Sequence, residues 1–371
     1  MPSAQVEAVA VVAAVAAACA IPGSFLVLRR VALLADAISH VLLFGIVVSF
    51  LVVRDLASPW LLIGAAASGV LTVAIVETLQ RSRLVKSDAA IGLVFPALFS
   101  LGTLLATIYL RNTHLDVDRV LLGSAELAPY DRMTIDGMDI GPRGFVVLSI
   151  VFVLNAALVV LFFKELKLST FDAALAATLG FAPALLHYGL MTIVSLTTVA
   201  AFDAVGPVVV VALLVVPAAT AYLLTDRLAV MIVLSVVIAI AAAIGGTLFA
   251  FEVDANIGGT VATVLGLLFS IAFLLAPGRG LLAALLRRLR QRRQFLETML
   301  AIHLYQHEGT STELDESRLD GLHRHLHWLP IEVTKVTIRA ERNGLVASNG
   351  KRLRLTDEGR LVARRVLKLQ G

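Results

Sequence analysis

The sequence predicts an all-α polytopic membrane protein of about nine transmembrane helices, followed by a small α+β domain on the cytoplasmic side. Three observations predict it. Hydrophobic residues make up 58% of the 371 residues, charged residues 16%, and mean hydropathy is +0.90. A water-soluble domain of this length has no interior large enough for that much apolar surface. The apolar residues come in runs of spanning length separated by short polar breaks. Finally, the net charge of +4 is unevenly divided: residues 1–280 carry −3 and residues 281–371 carry +7. That asymmetry marks two bodies with different surroundings.

A bilayer-spanning helix needs about 20 mostly apolar residues. The runs that qualify are 4–28, 31–53, 58–79, 89–110, 144–163, 184–202, 205–224, 228–250 and 256–276. The breaks, such as Arg29-Arg30, Arg54-Asp55, Arg81 to Asp88, Lys164 to Lys167 and Thr225 to Arg227, are too polar for hydrocarbon. The first run lacks a basic start and is long, so it reads as a span rather than a signal peptide. Basic residues collect in the 81–86 and 164–167 breaks, at Arg227 and in Arg287–Arg293. The positive-inside rule then puts the N-terminus and the acidic 111–143 loop outside and the C-terminal domain in the cytoplasm. Cys19, alone of its kind, excludes a disulfide framework or a cysteine-rich metal site and reads as a packing residue.

Residues 169–183 fit neither span nor loop. Asp172 suits a helix N-cap and Gly180 the left-handed position beyond a helix end, leaving a short cytoplasmic helix over Ala173–Leu179. Such a helix is either a plain linker or a docking element for a cytoplasmic partner. In the second run, Asp36 and His40 stand i, i+4 and share one helix face. Ionisable groups are expensive in a bilayer and face polar paths or each other. A carboxylate with an imidazole suits Mn²⁺, Fe²⁺ or Zn²⁺, or a hydrogen bond that locks two helices. Asp203 and Glu77 are further candidates to line a path, and His187 reads as a packing residue.

Beyond 280 the texture changes. Residues 281–293 read as a polybasic juxtamembrane linker suited to anionic lipid, and 294–371 as a separate domain. Helices are expected over 291–307, 315–327 and 331–342, then two short strands about Asn349-Gly350, then a helix capped by Thr356. Three helices, a hairpin and a helix make a winged-helix pattern. Contact with a partner protein, or regulation, is favoured over DNA binding. Of its histidines, His303 and His307 share a helix face while His323, His325 and His327 alternate. They are either solvated side chains or a regulatory metal site.

Four segments in order carry a family resemblance: Leu34 to His40, Ser87 to Phe95, Phe163–Lys167 with Phe171-Asp172 and Leu179-Gly180, and Ala204–Pro207 with Ala212–Ala221. Over about residues 5–280 the chain resembles the manganese/zinc/iron permeases of ATP-binding-cassette importers, with Ala35 in place of the family's glycine. The resemblance implies a bacterial inner-membrane permease that is not an enzyme and that moves a metal ion held by Asp36 and His40. It implies that 169–183 docks on a separate ATPase through Phe171, Asp172, Ala173, Leu175, Ala176, Leu179 and Gly180. The remaining partners it implies are a second permease copy or a sister chain, and an extracytoplasmic metal-binding protein. The segment Arg352–Arg360 resembles the wing-to-helix part of bacterial winged-helix regulators, some of them metal-responsive. The sequence contains no Gly-x-x-x-x-Gly-Lys-Ser/Thr phosphate loop, so ATP would act on another chain. The rival readings are an ion-coupled secondary metal transporter and a membrane-tethered metal-responsive regulator.

Overall fold

The computed structural model of the chain describes residues 3–55, 58, 60–109, 125–135 and 138–368. They form two compact units, 1–279 and 280–371. In the first unit the helices are α1 (Ser3–Leu28), α2 (Leu33–Val53), α3 (Trp60–Arg81), α4 (Ser87–Tyr109), α5 (Arg143–Leu161), α6 (Phe163–Phe171), α7 (Ala173–Thr178), α8 (Pro183–Val205), α9 (Pro207–Leu224), α10 (Leu228–Val253) and α11 (Ile257–Leu275). Nine of these, all but α6 and α7, are long and apolar enough to cross a membrane among the described residues.

Helix α1 runs through the middle of the first unit. It contacts α5, α8, α9 and α10, while α2, α3 and α4 pack together and α11 packs on α9 and α10. Its central sequence is nearly all Ala and Val, so neighbours approach closely on every side and almost nothing in it faces out. Gly23 shows how close: a Cβ there would fall 1.9 Å from the Leu214 carbonyl oxygen of α9. A buried amide joins neighbouring helices. Asn155 of α5 donates to the Ala18 carbonyl at 3.1 Å and to Thr197 Oγ1 of α8 at 2.9 Å.

The 111–143 loop lies partly outside the described residues. From Ala125 on it is more ordered than expected: a 3₁₀ turn (Ala128–Tyr130) and an antiparallel hairpin of β1 (Arg132–Ile135) and β2 (Met138–Pro142). Arg132 bonds Asp139 across the hairpin and Glu7 of α1 at 3.1 Å. The Arg132 guanidinium in turn holds the Asp139 carboxyl below its usual value. The Lys164–Lys167 break is also no loop. It lies in α6, because Lys164-Glu165-Leu166-Lys167-Leu168 are strong helix formers with an acid in the first turn.

The second unit comprises α12 (Leu281–His307), the short α13 (Glu313–Glu316) and α14 (Leu322–His325), then α15 (Pro330–Arg342), strands β3 (Val346–Ser348) and β4 (Leu353–Leu355), and α16 (Asp357–Lys368). It is mostly helical with one two-stranded hairpin, and its core includes Leu300, Leu304, Leu322, Val336 and Leu353. Residues 281–293, read as a linker, continue without a break into α12, since Leu, Ala, Arg and Gln all favour helix. The single helix expected over 315–327 is instead two fragments. Between them the chain pairs with the hairpin edge: Leu353 N–H donates to the Ser317 carbonyl, Leu319 N–H to that of Lys351, and Arg318 bridges Arg352. Thr356 caps α16 through the Gly359 N–H at 3.1 Å.

Candidate functional site

Asp36 lies in the first turn of α2 and His40 in the next, about 10 Å along the axis from Leu33. Their side chains meet, His40 Nε2 to Asp36 Oδ1 at 3.4 Å, with His40 35% and Asp36 45% exposed. The opposite face of α2, with Leu34, Ile38, Val41 and Leu42, is buried. The His40 ring is held by Phe95 and Phe99 of α4, with centroids 5.8 and 5.9 Å away. The imidazole is thereby oriented by aromatic contact while its carboxylate neighbour stays accessible. A carboxylate and an imidazole so placed offer one oxygen and one nitrogen donor to a cation entering from the open side.

Glu77 makes a different set of contacts. On α3, its carboxylate accepts from Tyr188 Oη at 2.6 Å and lies 2.8 Å from His187 Nε2 and 3.5 Å from Arg81, all at the end of the bundle where α3 stops and α8 begins. His187 Nδ1 faces Arg29 Nη1 at 3.0 Å, and Arg29 also donates to Ser169 Oγ at 3.0 Å and Thr170 Oγ1 at 3.2 Å of α6. A guanidinium only donates, so Nδ1 is the acceptor and the proton sits on Nε2, toward Glu77. Burial lowers the Arg29 pKa by desolvation. His187, read as a packing residue, is therefore the middle of a polar chain from α6 through Arg29 to α3. Arg29, Ser169, Thr170 and Tyr188 were missed. The doubled arginine at the end of the first run was the only sequence signal, and it read as a span break.

Asp203 is exposed in the last turn of α8, about 24 Å along that helix from His187, and so does not join Glu77.

Helix α7 forms where the caps place it. Asp172 Oδ1 accepts from the Leu175 N–H at 2.9 Å. At the other end the Phe181 N–H reaches the Ala176 carbonyl, the Gly180 N–H that of Ala177, and Gly180 takes φ +87°. That pair of bonds is a Schellman motif, which needs a residue without Cβ at the left-handed position. Phe171, Leu175 and Leu179 are exposed at 63%, 45% and 60%, and Asp172, Ala173 and Gly180 are exposed beside them. Ala176 is the exception among the residues expected to dock. It is fully buried and faces the body of the protein, as its position on the inner side of a six-residue helix requires.

In the second unit, His303, His307 and His325 converge on Glu316, a residue that the sequence does not single out.

A model of the ABC 3 transport family matches residues 3–276. The zinc transport system membrane protein TroD of Treponema pallidum (strain Nichols) is 42% identical over 353 residues, covering 95% of this chain and 96% of the relative. That coverage takes in most of the second unit. The manganese transport system membrane protein MntD of Bacillus subtilis (strain 168) is 45% identical over 280 residues, 76% of this chain and 95% of the relative. Among solved structures, PsaBC from Streptococcus pneumoniae in complex with Fab superposes with a TM-score of 0.62 at 29% identity, covering 74% of this chain and 92% of that one.

Proposed function

This chain belongs to the ABC 3 transport family, and from that membership we propose that it is the permease subunit of an ATP-driven importer of a divalent transition metal ion. The observation that carries the metal reading is the Asp36–His40 pair, a carboxylate and an imidazole 3.4 Å apart on the accessible face of an otherwise apolar helix. One oxygen and one nitrogen suit Mn²⁺ first, with Zn²⁺ and Fe²⁺ behind it. The relatives named for zinc and for manganese transport agree with that range. A transport site must bind tightly enough to select and weakly enough to release. Two protein donors on one helix leave room for water or for donors from other helices to complete the shell.

ATP hydrolysis falls to a separate chain. It docks on α6–α7 and the following residues to 183, where exposed Phe171, Leu175 and Leu179 offer an apolar contact that a lone soluble surface would not leave bare. The chain of polar contacts from Ser169 through Arg29 and His187 to Glu77 supports a mechanical route from that contact into α1, α8 and α3. ATP-driven closure of the ATPases moves α7, and the bundle alternates the side on which the Asp36–His40 pair is open. The permease works in the bacterial inner membrane as a pair, with a second copy or a sister chain, and receives its ion from an extracytoplasmic binding protein. Asp203, at the end of the bundle opposite Glu77, lines the entry side. The second unit lies in the cytoplasm, has the helix, hairpin and helix order of a winged helix, and regulates transport rather than contacting DNA.

Metal uptake by vesicles holding the whole complex tests the reading. The Asp36→Ala, His40→Ala double variant is expected to lose uptake while the complex still assembles; uptake at the normal rate would remove these residues from the ion's path.

A further inference from the structure

We propose that the second unit holds a divalent metal site of its own, built from His303 and His307 of α12 and Glu316 of α13, with His325 of α14 as fourth donor. One donor atom from each of His303, His307 and Glu316 lies within 4.8 Å of the others. His303 Nε2 is 3.3 Å from Glu316 Oε2, and His325 Nδ1 is 2.9 Å from the same oxygen. Donors bound to Zn²⁺ at about 2.0–2.2 Å in a tetrahedron stand roughly 3.3 Å apart, and the separations here are already close to that spacing.

Two further observations point to an ion rather than to solvated histidines. The His303 and Glu316 side chains are only 12% and 17% exposed. Despite the short separations, neither His303 Nε2 nor Glu316 Oε2 completes a hydrogen bond of good geometry, although both atoms are buried. Polar atoms in that position are costly to leave unpaired, and a cation shared between them removes the cost. His307 Nδ1 is 3.2 Å from Thr312 Oγ1, which leaves Nε2 as the nitrogen for an ion. A ligand histidine whose other nitrogen is hydrogen-bonded is the usual arrangement at metal sites.

The donor set fixes the class of ion. Three imidazoles and one carboxylate form a closed tetrahedral shell, which suits Zn²⁺ or Co²⁺ over Mn²⁺. The site thus differs in chemistry from the Asp36–His40 pair, and it stands whether or not that pair carries the cargo. An ion here ties three separate helices together and fixes the short α13–α14 stretch against α12.

The test uses the full chain in detergent, stripped of metal and titrated with Co²⁺ and with Zn²⁺. Wild-type protein is expected to show the intense visible absorption of tetrahedral Co²⁺ and to unfold at a higher temperature with Zn²⁺. The Asp36→Ala, His40→Ala variant is expected to keep both signals. His303→Gln with His307→Gln is expected to lose them, and Glu316→Gln to weaken Zn²⁺ binding by about tenfold or more. His323→Gln, on the same stretch, is expected to keep them and serves as the folding control. An unchanged Co²⁺ spectrum in both the double histidine variant and Glu316→Gln overturns the proposal, as does a spectrum that vanishes only with Asp36 and His40.

Discussion

Arg29 and His187 meet at 3.0 Å across 158 residues of chain, and through that contact the end of α1 holds the start of α8. Hydrogen bonds to a charged group contribute about 1.5–3 kcal/mol each when made, and a buried partner left unpaired costs a similar amount. Arg29→Ala is therefore expected to lower the unfolding temperature of the purified complex and to depress metal uptake. Arg29→Lys should recover less than half of either, because a single ammonium cannot span Ser169, Thr170 and His187 at once. Uptake by the alanine variant equal to wild type would separate this contact from transport.

Gly23 leads to a purely steric prediction. The Leu214 carbonyl fills the space a methyl group would need, so Gly23→Ala should force α1 and α9 apart at a cost of about 1–3 kcal/mol. Gly189→Ala, where a Cβ meets nothing within 4 Å, is the matched control and should leave thermal stability unchanged. Equal unfolding temperatures for the two variants would contradict the packing described.

Asn155 joins three helices from one side chain. Asn155→Leu gives up bonds to Ala18 and Thr197 and leaves their oxygens without that donor, an expected loss of about 1–2 kcal/mol given the modest worth of such bonds between membrane helices. Thermal unfolding in detergent reads it directly.

At α7, cap and surface can be separated. Asp172→Ala removes the N-cap and should cost the helix about 1 kcal/mol. Leu175→Asp with Leu179→Asp keeps Asp172 and Gly180 in place but makes an exposed apolar surface charged. Co-purification with the ATPase should fall sharply for the double variant and only slightly for the cap variant; the reverse order would place docking elsewhere.

The spans and α7 were legible in the sequence for a shared reason: each depends on residues close together. Runs of Ala, Val and Leu bounded by arginine or aspartate announce a span, and Asp172 and Gly180 announce the ends of a helix only six residues long. Where reading failed, a distant partner decided. The Ser317–Leu319 stretch has helical neighbours but pairs with Lys351 and Leu353 instead. Charges at Lys164 and Lys167 looked like a loop, yet the same residues favour helix. That Asp36 and His40 meet could be read from the sequence because one turn separates them, whereas the Arg29 contacts link residues 140 to 158 apart. Glu316 was overlooked beside its histidines because nothing local distinguishes it from its acidic neighbours.

The Arg132 bridge to Glu7 bears on how such a bundle can move. One end of α1 is fastened to the hairpin there, and the other end is fastened by Arg29 to α6 and α8. Sliding along its own axis would require α1 to break polar contacts at both ends while dragging Gly23 past the Leu214 carbonyl. The first helix is in effect pinned: any rearrangement that slides it must first release both of its ends.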